Sequence, residues 1–135
     1  MPKKKSKVFR QFEVPIFESI VFVVLGTPDE VLDFFEVECL IGREDWEEPF
    51  NSSMEAGCYT LKNEENRVYW TLAFSKGETR KQTVCHECVH LAKKIFNVES
   101  TPVNDDTEEM FCLLVGYLAE QVYRLLDDLS KTTQS

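Results

Sequence analysis

Both histidines of this 135-residue chain lie in one pentapeptide, His86-Glu87-Cys88-Val89-His90. On an α-helix, residues four positions apart share a face, so the two imidazoles could bind one metal ion. Neutral imidazole suits zinc, and two histidines with one carboxylate leave a fourth coordination position open for water. Glu87 follows His86 by about 100° around the helix axis, within reach of that water. The spacing therefore predicts a Zn²⁺ site with Glu87 as general base.

Cys85 and Cys88 form a Cys-x-x-Cys pair that overlaps this motif, and three interpretations are open. The pair could pack in the core, because Cys88 falls in the apolar stripe of the predicted helix. It could join the histidines in a closed structural zinc site. It could also be redox-active, although such pairs stand at helix N-termini. The five cysteines, an odd number, are typical of reduced thiols in an intracellular protein.

A third metal ligand has to come from another segment, and the next predicted helix begins with several acidic residues. Here the chain resembles the gluzincin type of zincin metallopeptidases, in which an H-E-x-x-H helix follows a short sheet and a downstream helix supplies a glutamate. In that pattern a small residue often follows the glutamate by three positions. Glu109 has Cys112 at that offset, whereas Glu108 has Phe111. The resemblance, over about residues 67–126, therefore implies Glu109 as the third ligand, with Glu108 as the alternative. Whichever glutamate does not bind metal would complement the helix macrodipole.

A second resemblance is to small phage- and prophage-encoded H-E-x-x-H proteins, whose downstream helix contains Gly-Tyr-Leu, here Gly116-Tyr117-Leu118. Tyr117 could reach the cleft and stabilise an oxyanion, or it could be a core residue. One departure from the peptidase pattern is Leu113, which stands four residues after Glu109, where several peptidase families have Asp or Asn.

Strands come first and helices last along the chain, which is typical of an α+β fold. The expected architecture is a small zincin-like domain with a short antiparallel or mixed sheet packed on the H-E-x-x-H helix and a C-terminal helix. We expect one domain at 10–130, between a basic arm at 1–9 and a disordered tail at 131–135. The predicted elements are β-structure at 11–25, 57–61 and 67–74, helices at about 28–35, 79–96 and 107–129, and a long loop at 41–57.

The strand at 67–74 is apolar on both faces, so we expect both faces to be covered or one to bind a partner. In zincins the strand before the metal helix is commonly an edge that pairs with extended substrate. The resemblance therefore implies a polypeptide substrate or protein partner at the Val68–Phe74 edge by strand addition. A plain sheet strand is the alternative.

The net charge of −9 is unevenly distributed, because residues 1–10 hold five basic residues and no acid. The acidic remainder would repel nucleic acid, so only the basic arm could contact it. The longest apolar stretch, Val14 to Gly26, is interrupted by Pro15, Glu18 and Ser19 and is too short and polar to cross a bilayer. The basic start lacks the features of a signal peptide. We expect a cytoplasmic protein without a membrane partner.

These observations favour a zinc-dependent hydrolase, a small metallopeptidase that uses a zinc-bound water and Glu87. The alternative is a zincin-fold binding or assembly protein, in which any metal is structural or vestigial. A third hypothesis is a nucleic-acid-associated factor that uses its basic arm.

Overall fold

The computed structural model describes residues 8–14, 19–38, 56–62, 68–75 and 80–133. This part of the chain is α+β, with three helices and a four-stranded mixed sheet. The strands are β1 (Phe9–Val14), β2 (Ser19–Gly26), β3 (Ala56–Lys62) and β4 (Val68–Ser75), and the helices are α1 (Pro28–Glu38), α2 (Lys81–Val98) and α3 (Glu108–Thr133). The predicted loop at 41–57 lies outside the described residues, except that Ala56 and Gly57 begin β3. None of the described helices is long and apolar enough to cross a bilayer.

The sheet has the strand order β1-β2-β4-β3. The two central strands, β2 and β4, run parallel, and each outer strand is antiparallel to its neighbour. Trp70 of β4, for example, lies between Val21 of β2 and Thr60 of β3. The expectation that Val68–Phe74 forms a sheet edge is therefore wrong. Strands buried on both faces are apolar on both faces, so the composition of β4 fits an interior position.

Both faces of the sheet are covered, by different helices. On one face, Trp70, Leu72 and Phe74 pack with the buried sides of α2 and α3. On the other face, Phe22, Val24 and Ala73 pack with α1, whose buried residues are Val31, Phe34 and Phe35. Successive strand residues point to opposite faces, so alternating residues of β4 belong to the two clusters. The helix that carries the histidines is thus anchored on a well-packed sheet face.

Helix starts follow the expected local chemistry. Thr27 and Glu30 form a reciprocal capping box, in which the Thr27 N–H donates to Glu30 Oε1 at 3.0 Å and the Glu30 N–H donates to Thr27 Oγ1 at 3.3 Å. At α3, Thr107 precedes the first helical residue, and its carbonyl accepts the Phe111 N–H at 3.0 Å.

The domain is slightly longer at both ends than expected. Phe9 already belongs to β1, and the Val8 carbonyl accepts the Leu25 N–H at 2.8 Å. Arg10 is also part of the fold, because its Nε donates to Asp128 Oδ2 of α3 at 2.8 Å and its side chain is only 10% exposed. At the other end α3 continues to Thr133, so the expected tail at 131–135 begins too early. Residues 1–7 of the basic arm lie outside the described part.

Candidate metal centre

The H-E-x-x-H motif lies in the first half of α2, as its spacing predicted. His86 and His90 are both exposed on the side of α2 that faces away from the core. The opposite side of the helix is buried and consists of Val84, Cys88, Leu91, Ala92, Ile95 and Phe96. Because a helix turns once in 3.6 residues, burying this stripe leaves positions 86 and 90 together on the outer surface.

The two imidazoles meet on that surface. His86 Nε2 and His90 Nε2 are 3.1 Å apart, and the ring planes are inclined at 75°. At Zn–N bond lengths of 2.0–2.1 Å, a 3.1 Å separation corresponds to an N–Zn–N angle of about 100°, close to tetrahedral. The 3.1 Å contact is a hydrogen bond between the two rings, and its length is also compatible with both nitrogens binding one zinc ion.

Glu87 points sideways from the histidines, toward β3. It is only 8% exposed, and it lines a cavity of about 340 Å³ together with Ala56, Arg80, Gln82, Thr83 and His86. No hydrogen bond or ion pair ties its carboxylate to another residue in the described part of the chain. The carboxylate faces this cavity, where it is placed to accept a proton or a hydrogen bond from a ligand.

The sheet edge beside this cavity is β3, not β4. Ala56, the first residue of β3, lines the cavity. Two turns beyond Glu87, the Lys94 ammonium donates to the Cys58 carbonyl at 3.1 Å and ties α2 to β3. Glu87 therefore lies beside β3, the outermost of the described strands on this side of the sheet.

Glu109 is exposed in the first turn of α3. Phe96 contacts Phe111 edge to face with ring centroids 5.4 Å apart, which places the start of α3 beside the end of α2. Glu109, two residues before Phe111, therefore lies beside the C-terminal end of α2. Measured along the axis of α2, that end is about 12 Å from His90. No group of three His, Cys, Asp or Glu residues in the described ranges could hold a metal ion. The structure thus brings together His86, Glu87 and His90, but it adds neither Glu109 nor Glu108 to them.

Cys88 is fully buried in the core, whereas Cys85 is exposed. Burial, with smaller contributions from the neighbouring Cys85, Cys58 and Glu87, raises the pKa of the Cys88 thiol to about 12. Burial likewise raises the pKa of Cys58 to about 11, against the opposing effect of Lys94. Thiols protonated at neutral pH are poor metal ligands and poor nucleophiles, which favours core packing for Cys88. The pair also lies a full turn inside α2, not at its N-terminus.

Tyr117 faces the other side of the domain. Its hydroxyl donates to the Glu13 carbonyl at 2.9 Å, and its ring packs edge-on against Phe12. These contacts hold α3 to β1, so the suggestion that Tyr117 serves the cleft is wrong.

The cavity residues Arg80, Gln82 and Thr83 were not predicted from the sequence, whereas Ala56 lies within the long loop predicted at 41–57. A signal for two of them was present, because Arg80, Thr83 and Glu87 are spaced by three and four and so share a helix face. Ala56 comes from a distant segment and carries no such signal. In comparisons with known proteins, no family model, no curated protein and no solved structure matches this chain.

Proposed function

We propose that the protein is a zinc-dependent hydrolase acting on polypeptides, with His86 and His90 as metal ligands and Glu87 as general base. The observation that carries the proposal is the 3.1 Å approach of the two Nε2 atoms beside an unpartnered carboxylate in a cavity. Glu109, with Glu108 as the alternative, is the third ligand that the resemblance to gluzincins implies, although the described structure groups neither of them with His86 and His90.

The zinc ion and Glu87 would have different roles in the reaction. A zinc ion held by the two imidazoles would supply Lewis acidity toward a substrate carbonyl and toward water. The Glu87 carboxylate accepts the proton of the attacking water and passes it to the leaving amine. Its burial against β3 fixes its direction, and the cavity around it gives room for the reacting group. An extended polypeptide would lie along the outer edge of β3, where main-chain groups can pair by strand addition.

The first test is metal content with matched variants. Purified protein should bind about one zinc ion per chain, and His86→Ala or His90→Ala should abolish stoichiometric binding. Glu87→Gln should keep the zinc and lower peptide cleavage by about 10²- to 10⁴-fold, because only the proton acceptor is lost. Glu120→Gln, an exposed position on α3, is the control and should change neither. Failure to bind zinc at micromolar concentration would overturn the proposal.

The third ligand needs its own comparison. Glu109→Gln should weaken zinc affinity by at least about tenfold, whereas Glu108→Gln should leave it nearly unchanged. The reverse result would assign the ligand to Glu108. Zinc affinity unchanged from that of the unmodified protein in both variants would show that neither carboxylate is a ligand.

A second candidate function is a zincin-fold binding or assembly protein with a structural or vestigial metal site. The position of Glu109, level with the far end of α2, favours it. It would be supported if zinc binds, no peptide library is cleaved and Glu87→Gln behaves as the unchanged protein. The nucleic-acid hypothesis stays a prediction. It fails if deleting residues 1–7 leaves nucleic-acid affinity and its salt dependence unchanged.

A further inference from the structure

One side of α3 carries exposed apolar side chains. Leu113 is 66% exposed, more than any other large apolar side chain in the described part of the chain, and Met110 is 40% exposed. The two residues are three apart and so lie on the same side of the helix. Tyr117 follows on that side, with its ring against Phe12 and its hydroxyl on the Glu13 carbonyl. The apolar strip, defined as Met110, Leu113 and Tyr117, therefore extends from the first turn of α3 to β1.

Carboxylates lie at the N-terminal end of this strip. Glu109 precedes Leu113 by four residues and lies on the same side of α3, and Asp106 is exposed in the turn just before the helix. Neither carboxylate is paired with a basic group in the part of the chain that the structure describes. No lysine, arginine or histidine lies between Lys94 and Arg124, a stretch with six acidic residues. A partner for the strip therefore needs basic side chains.

The chain itself contains a segment of that chemistry. The first seven residues of the basic arm have four lysines, no acidic residue and an apolar start: Met1-Pro2-Lys3-Lys4-Lys5-Ser6-Lys7. Its charge is opposite to that of the surface around the strip, and opposite charges on two surfaces attract and orient them.

The arm and the acidic end of the strip lie at opposite ends of the domain. Arg10 contacts Asp128, whereas Glu13 contacts Tyr117, which is eleven residues earlier in α3. β1 therefore runs in the opposite direction to α3, and the start of each element is remote from the start of the other.

This distance decides between an arm of the same chain and an arm of another copy. Glu109 precedes Asp128 by nineteen residues, about 28 Å along α3. Val8 lies on the far side of Arg10 from Glu109, and the five residues from Val8 back to Lys3 span at most about 18 Å when fully extended. An arm whose lysines meet Glu109 therefore belongs to a second copy.

We propose that residues 1–7 of one copy dock on the apolar strip of a second copy, with their lysines on Asp106 and Glu109. Because the arm and the strip are different surfaces, the contact is heterologous and joins copies head to tail into a ring or an open chain. The contact requires neither zinc nor hydrolysis, so it is independent of the proposed hydrolase function.

The first experiment is sedimentation velocity on the full chain, freed of metal by a chelator. At about 0.1 M salt the protein should associate as its concentration rises from about 10 μM to about 1 mM. Raising the salt to about 1 M shortens the Debye length from about 10 to about 3 Å and should weaken the association at least about tenfold. A monomer at every concentration in about 0.1 M salt would overturn the proposal.

Two variants test the arm and the strip. Deleting residues 1–7 should abolish association, and association that survives the deletion would overturn the proposal. Leu113→Gln should weaken association about tenfold, because an apolar side chain is lost from the contact. Its exposure in the single chain means that the fold itself should not change, which circular dichroism checks.

The carboxylates have a matched control. Asp106→Asn combined with Glu109→Gln should weaken association about tenfold, because two partners of the lysines are lost. Glu120→Gln combined with Asp127→Asn removes the same charge from other positions on α3 and should leave association unchanged. An equal effect of both pairs would show that only net charge matters and would overturn the docking site.

Mixing separates a head-to-tail contact from a symmetric one. A chain without residues 1–7 keeps the strip, and a Leu113→Gln chain keeps the arm. At a concentration where neither associates alone, their mixture should form dimers, because one intact arm meets one intact strip. A mixture that stays monomeric would overturn the head-to-tail arrangement.

Discussion

The two faces of α2 differ in burial and in the kind of residue they contain. The inner face is fully buried against the sheet and α3, and the identity of its residues is explained by packing. The outer face holds His86 and His90 in solvent, where they touch mainly each other. The two imidazoles are joined there by a hydrogen bond of 3.1 Å between their Nε2 atoms, which does not depend on core packing. The inner face therefore stabilises the fold, whereas the two histidines of the outer face contribute little to the core and are candidates for a functional role.

The largest expected difference between substitutions on the inner and the outer face of α2 is in the free energy of unfolding. Leu91→Ala removes a fully buried side chain and should lower the free energy of unfolding by about 2–5 kcal/mol, because it leaves a cavity in the core. His86→Ala should change it by less than about 0.5 kcal/mol, since the side chain is exposed. Urea denaturation of both variants measures the difference. A large loss in His86→Ala without added metal would show that the outer face is structural.

Zinc should stabilise the protein through the outer face alone. At free zinc one hundred times the dissociation constant, the free energy of unfolding should rise by about 2.7 kcal/mol, because only the folded state holds the two imidazoles together. Thermal unfolding with and without zinc measures this shift. His90→Ala should unfold at the same temperature in both conditions, and an undiminished shift in that variant would place the metal elsewhere.

Cys88 and Cys85 lie within one turn of α2, so they allow the same comparison between a buried and an exposed side chain. Cys88→Ala should cost about 1 kcal/mol, because a buried thiol is deleted from the core. Cys85→Ala should change stability by less than about 0.5 kcal/mol, since the side chain is exposed. Chemical denaturation and zinc stoichiometry are measured together. Loss of zinc in both variants would instead support a closed site containing the two thiols.

The smallest effect is expected on the exposed side of α3. Gly116 lies in the middle of that helix, and a Cβ there would meet no atom within 4 Å. Gly116→Ala should therefore raise the free energy of unfolding by about 0.5–1 kcal/mol, because glycine is a poor helix former. A loss of stability measured by urea denaturation would contradict the open surroundings of this position.

Sequence patterns were most informative where the controlling interactions are local. The spacing of Val84, Cys88, Leu91 and Ile95 predicted both α2 and its buried stripe, and burial of that stripe fixed the outward position of the histidines. The capping box at Thr27 and Glu30 is an interaction of the same local kind, because it depends on residues only three apart. The α+β order of elements was also predicted correctly.

The sheet order could not be predicted in the same way. β4 was assigned to an edge from a family resemblance, although its apolar faces are those of an interior strand. The pairing of β4 with β2 joins segments nearly fifty residues apart, such as Ile20 and Tyr69, and no local pattern specifies it.

The sequence by itself determined that two imidazoles and a carboxylate converge on one helix, because helical periodicity is set by the backbone. Only the tertiary structure decided what lies beside them: Ala56 at the start of β3 lies beside Glu87, and the start of α3, with Glu109, lies beside the far end of α2. The physical reason is that helix geometry depends on neighbours a few residues away. The position of a strand or a second helix depends instead on long-range packing of whole apolar faces.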